Sequence, residues 1–159
     1  MKAGYRHIVS IKVVFPSFID SIQDSAEWYE NEHEVGQAIL DFCKLTGIDR
    51  SEIFFTTKLK KNNGYYRTRK AIERSLKKCG LGYIDLYLIH GPLGGSQARK
   101  ESWEAIYDAQ KEGILKSAGI STFGMGHLQE ILEYQLPLPV VHQVSASIRS
   151  VLELKFMLH

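Results

Sequence analysis

The sequence predicts an α/β protein built on a parallel sheet, and three observations carry that prediction. Short runs that are apolar on both faces alternate with longer segments of helical period, and turn residues separate them. The 159 residues are 44% hydrophobic and 24% charged, the balance of an ordinary globular domain long enough for one sizeable core. Strands buried on both faces and joined by single helices are the mark of right-handed βαβ units. One domain spanning residues 1–159 is therefore expected.

The elements follow in order. "YRHI" at Tyr5 to Ile8 is apolar enough at its end to be a first strand. Val35, Ala38, Ile39 and Phe42 recur at i, i+3, i+4 and i+7, one stripe of a helix, and Gly47 lies where that helix would stop. "EIFFTTK" is a buried strand ending at Lys58. Ala71, Ile72, Ser75, Leu76 and Cys79 mark a second helix, with Lys77 and Lys78 complementing the dipole in its last turn and Gly80 as cap. "YIDLYLIH" is another buried strand, ending at His90 and stopped by Gly91 and Pro92. "ESWEAIYDAQKEG" is a third helix, "SAGIS" a short strand, "MGHLQEILEYQ" a fourth helix and "PVVHQV" a last strand. The run "GPLGGSQARK" between His90 and the third helix reads as a flexible connection, since no phosphate-loop glycine spacing supports a cradle.

An open doubly wound sheet and a closed (β/α)8 barrel share this local pattern, so the strand ends must separate them. In a barrel, polar side chains gather at the C-terminal ends of the strands. Here the ends carry Asp24 and Ser25, Lys58, His90, Ser121 and Gln143. The G-x-G-x-x-G turn that an open dinucleotide fold requires occurs nowhere. A partial (β/α)8 TIM barrel covering about strands 2 to 6 is the expected architecture.

Composition narrows the function classes. The formal net charge is +2, with Lys and Arg interspersed among Asp and Glu, so no basic face for nucleic acid or anionic lipid is expected. No stretch reaches the ~20 apolar residues of a membrane span, and the N-terminus has no signal-peptide hydrophobic region. Cys43 and Cys79 sit among apolar residues of helical period, where reduced core thiols are the ordinary case; this favours a reducing, cytoplasmic setting. His33, His127 and His142 lack metal-ligand spacing and read as surface or packing residues, and no metal site is expected.

With residues 9–23 omitted, the opening reads "GYRHI-DSAEWYENEHEVGQAI" and resembles the G-Y-R-H-[IL]-D-[TS]-A-x-x-Y-x-N-E signature of the aldo-keto reductases. These are NAD(P)H-dependent (β/α)8 barrels. "TTKL", "YIDLYLIHGP", "SWEA", "EGILKSAGIS" and "VVHQV" follow in the family's order. The resemblance implies reduction of an aldehyde or ketone to an alcohol, with NADPH as cofactor and NADH as the alternative, and a small-molecule carbonyl as partner. It implies that Tyr29 is the general acid. A free phenol has a pKa near ~10, so it needs a cation to stabilise its phenolate. Lys58 would be that cation, Asp24 would hold the ammonium, and His90 would orient the substrate carbonyl. Ser121, Thr122 and Gln143 align with positions that hold the nicotinamide carboxamide. The family usually has Asn where this chain has Thr122, and a hydroxyl lacks the amide's paired donor and acceptor. Trp28 aligns with an aromatic near the substrate, a partly buried structural role being the alternative. Because some members are regulatory subunits, a non-catalytic cofactor-binding or interaction protein is the alternative function.

Two segments depart from the family pattern. Residues 9–23 separate "RHI" from Asp24 and bring seven bulky apolar residues, among them Phe15, Phe18 and Ile19, to the mouth of the site. Val-Ser can be encoded by GTAAGT, a splice-donor sequence, and Gln by CAG, an acceptor ending, so the expected reading is a translated retained intron. The alternative is a real insertion in which Asp20 replaces Asp24. From Ser145 the tail "SASIRSVLELKFMLH" no longer resembles the family. A complete barrel needs ~250 residues, so this chain is expected to be a truncated form, poorly stable as a monomer and with its activity in question. The oligomeric state and the individual substrate are not legible.

Overall fold

The computed structural model describes residues 22–144, which form five parallel strands and four helices. Strand β1 (Ile22–Asp24) leads through a turn to helix α1 (Glu32–Thr46), and a single 3₁₀ turn (Arg50–Glu52) precedes β2 (Phe54–Leu59). Helix α2 (Tyr65–Cys79), β3 (Ile84–Ile89), α3 (Ser96–Lys111), β4 (Leu115–Ser121), α4 (Met125–Glu133) and β5 (His142–Gln143) complete the order. The strands lie side by side in the sequence β1-β2-β3-β4-β5, every neighbour pair parallel. Each crossover is thus one βαβ unit.

Several expected boundaries hold. Gly47 and Gly80 end α1 and α2 in the left-handed conformation, and their N–H groups return to Cys43 O and Leu76 O. Others move. Helix α3 begins at Ser96, so half of the run read as a flexible connection is helical. The reason is Arg99, whose guanidinium reaches across to Glu130 of α4 and also donates to Pro92 O (3.0 Å) and Gly94 O, pinning the loop ahead of the helix. Strand β4 is longer than "SAGIS", and β5 pairs over His142 and Gln143 only. The strand that leads into Asp24 contains Ile22 and Gln23, the end of segment 9–23. "YRHI", the rest of that segment and the tail from Ser145 lie outside the described residues.

Alternation along the strands gives the sheet two different faces. Phe55 and Leu59 of β2, Tyr87 and Ile89 of β3, and Ala118 and Ile120 of β4 pack with Ile39, Ile72, Trp103, Ile106 and Ile131 of the helices in one buried cluster. Two polar pairs cross that layer. Thr57 Oγ1 donates to Glu32 Oε1 (2.7 Å), and the Asp85 carboxylate accepts from Phe55 N–H (2.9 Å) and Arg50 (2.6 Å). The other face carries Thr56 and Lys58, then Leu86 and Leu88, then Gly119 and Ser121, linked by the register Thr56↔Leu86, Lys58↔Leu88 and Leu88↔Gly119. In a barrel this second face looks inward, and its polar members lie toward the C-terminal ends of the strands.

Candidate active site

Lys58 is the deepest of the expected site residues. It lies near the end of β2 with 1% of its surface exposed, and Nζ donates to Ser25 O at 3.2 Å. A buried ammonium needs such acceptors, because removing it from water is costly. Its Nζ also stands 5.2 Å from the centre of the Tyr29 ring.

Tyr29 comes from the turn between β1 and α1. Ser25 N–H and Glu27 N–H bond to Thr56 O (2.7 Å) and Lys58 O (3.1 Å), so the chain continues beside β2 before Tyr29 N–H closes back on Ala26 O (2.9 Å). Ser25 Oγ donates to Asn31 Oδ1 at 2.6 Å and ties off the turn. The Tyr29 side chain is 47% exposed, open to a small molecule while next to a buried cation. Asp24 pairs by its backbone with Thr56, two residues before Lys58.

His90 closes the group from β3. Its ring meets the Tyr29 ring edge to face at 5.7 Å and the Trp28 ring at 6.2 Å. The backbone on either side is fixed: His90 N–H donates to Leu59 O (3.2 Å), and Thr122 Oγ1 donates to His90 O (2.7 Å). Trp28 is 51% exposed, a partly buried position next to the His90 ring. Its Nε1 donates to Lys60 O at 2.9 Å.

Ser121 and Gln143 are paired across β4 and β5, which sets them on one face of the sheet, and Thr122 N–H donates to Gln143 O at 3.0 Å. A buried hydroxyl and an amide on adjacent strands can both donate and accept, which fits a carboxamide. Thr122 fits less fully. Its one hydroxyl proton is used on His90 O, leaving only acceptor capacity.

Sequence reasoning did not single out the residues that hold the loop after His90. Asn62, 1% exposed, donates from Nδ2 to Gly91 O (3.0 Å) and Leu93 O (2.7 Å), and Arg99 grips the same loop from the other side. Gly94 has φ +113, and a Cβ there would lie 2.7 Å from Asn62 O, so this turn requires glycine. "GPLGG" signalled a turn; nothing in it signalled Asn62. Among the described residues no group of three or more His, Cys, Asp or Glu could hold a metal ion, and no helix is long and apolar enough to cross a membrane.

A parallel sheet with its polar side chains gathered at the C-terminal strand ends defines the class: part of a (β/α)8 barrel. The profile of the Aldo/keto reductase family matches residues 11–155, through residues 11–23 and into the tail, and the chain belongs to that family. An uncharacterized oxidoreductase of Schizosaccharomyces pombe is 42% identical over 145 residues, covering 91% of this chain and 46% of the relative. Methylglyoxal reductase DkgA of Escherichia coli K12 is 40% identical over 121 residues, covering 76% of this chain and 42% of the relative. Among solved structures, the Bombyx mori aldo-keto reductase in complex with NADP superposes with a TM-score of 0.75 at 29% identity, covering 86% of this chain and 49% of that one. The chain spans about half the length of the relatives it matches.

Proposed function

We propose that this chain carries the proton-delivering half of a carbonyl reductase, converting an aldehyde or ketone to an alcohol with NADPH, or NADH, as cofactor. The observation that carries this reading is the meeting of Tyr29, Lys58 and His90, from three successive strand ends, around one exposed phenol. The chemistry supplied by a bound nicotinamide is hydride donation to the carbonyl carbon, which leaves negative charge on the carbonyl oxygen.

Tyr29 donates its phenolic proton to that oxygen as the charge develops. The buried ammonium of Lys58 stabilises the resulting phenolate, and Asp24 pairs with the ammonium to keep it in place. His90 hydrogen-bonds the carbonyl oxygen and holds it against the phenol, so the proton moves within one oriented contact. Trp28 lines the mouth and shields the reacting oxygen from water. Ser121 and Gln143 hold the carboxamide, with Thr122 as an acceptor and as the brace of His90.

The test is oxidation of NADPH followed by absorbance with methylglyoxal as substrate. Wild-type protein should turn over, and Tyr29→Phe, which keeps the ring packing, should lower kcat by about 10²–10⁴-fold, the usual share of a general acid. Wild-type protein that binds NADPH yet leaves a panel of aldehydes and ketones untouched would refute the catalytic reading and support the non-catalytic one.

A further inference from the structure

The charges that alternate along the sequence do not alternate in space. A cleft of about 320 Å³ opens between the β2–α2 connection and the outer face of α2. Lys60 and Lys61 enter it from the connection; Arg67, Lys70 and Arg74 enter it from α2 at i, i+3 and i+7. Five cations thus meet one carboxylate, Glu27, on a chain whose whole net charge is +2. The helical period collects in one small cleft basic residues that are dispersed in sequence.

Among the described residues only Arg74 of the five has a carboxylate within reach, Glu27 at 3.2 Å. Glu27 is further occupied by Lys60 N–H at 3.2 Å. The other four cations line the same cleft with no carboxylate within ion-pair distance among the described residues, so their charges add at its mouth. Beneath them, Leu59 and Ala71 form a buried apolar floor, which keeps water out from below and strengthens any charge pairing at the cleft. The volume sits at the small end of ligand-sized pockets, about 300–1,000 Å³.

From this arrangement we infer that the cleft binds a small polyanion carrying at least two phosphate groups, at a site separate from the Tyr29, Lys58 and His90 cluster. Arg67 and Arg74 present planar forks suited to phosphate oxygens, and the lysines supply mobile point charges at the rim. Lys60 lies over Trp28, 5.0 Å from its ring, so an anion that draws Lys60 inward alters the surroundings of that indole. Occupancy of the cleft is therefore reported by Trp28 fluorescence.

The experiment is titration of the 159-residue chain with inorganic pyrophosphate at physiological salt, followed by calorimetry and by tryptophan emission, with circular dichroism confirming that each variant is folded. Pyrophosphate should bind with one-site stoichiometry and change the emission. The exposed double charge reversal R67E/K70E should weaken binding by at least about tenfold. The control reversals K77E and K116E, outside the cleft, should change it by less than about twofold. Equal binding by R67E/K70E and wild type would overturn the site, as would equal weakening by the controls, which would mean a diffuse field. Binding of a single-stranded oligonucleotide but not pyrophosphate would replace the small ligand by a nucleic acid and overturn it too.

Discussion

Thr122 is held at φ +56, a left-handed conformation that β-branched residues rarely adopt. Its hydroxyl bond to His90 O and its N–H bond to Gln143 O keep it there, joining the ends of β3, β4 and β5 through one residue. Strain of this kind costs of order 1 kcal/mol and gathers where a site is held. Asparagine tolerates this conformation and has an amide that can donate to the same carbonyl. Thr122→Asn should therefore raise stability by about 0.5–1 kcal/mol in urea denaturation, and Thr122→Val, which keeps the strain and loses the hydroxyl, should lower it by about 1 kcal/mol or more. Lys58 and His90 were legible in the sequence as chemically capable side chains at the ends of apolar runs, whereas Tyr29, in the polar stretch "AEWYENE", was picked out only by the family resemblance. Thr122 was legible only as a position. A positive φ leaves no mark on a threonine, and only the geometry shows its proton already spent on His90.

Helices α1 and α2 approach each other at Gly36, where an added Cβ would sit 2.0 Å from Cys79 O. Backbone cannot yield as a flexible side chain can, so Gly36→Ala should cost about 2 kcal/mol or more, read as a lowered urea midpoint. Helices α3 and α4 are joined by Arg99 and Glu130, at 2.8 Å and 2.5 Å through two parallel bonds. Arg99 holds the Glu130 carboxyl down to about 2 from the ordinary 4.5, helped by a hydrogen bond from Tyr134. A depressed folded-state pKa means that this contribution is fully present above about pH 4.5 and is lost as pH falls toward 2. Allowing for solvent screening, the loss should be about 1–2 kcal/mol, and Arg99→Ala should remove most of that pH dependence from urea midpoints measured at about pH 6 and about pH 3. Helix periods and glycine caps were readable; the extension of α3 back to Ser96 was not. It depends on a tertiary contact with Glu130, 31 residues away, and no local pattern encodes that.

At the scale of the molecule, β1 and β5 are the outer strands of the described sheet, each paired on one side among the described residues. Val140, Val141 and Val144, around β5, are exposed. We propose that segment 9–23 is a translated intron, a reading that must contend with the family profile running through residues 11–23 and with the pairing of Ile22 and Gln23 to β2: transcript reads joining the Ile8 codon directly to that of Asp24 would support it, and reads keeping every codon would overturn it. The parallel order of the strands was legible because each apolar run is followed by one helix period. The short extent of β5 was not, since "PVVHQV" is apolar enough for a longer strand. The proposed site depends on Tyr29 and Lys58 acting as one unit. A double-mutant cycle on kcat/KM for carbonyl reduction, with Tyr29→Phe, Lys58→Met and the pair combined, tests this most directly. If the ammonium acts through the phenol, the double variant will be no slower than Tyr29→Phe alone; losses that multiply would show that the two act independently and contradict the account.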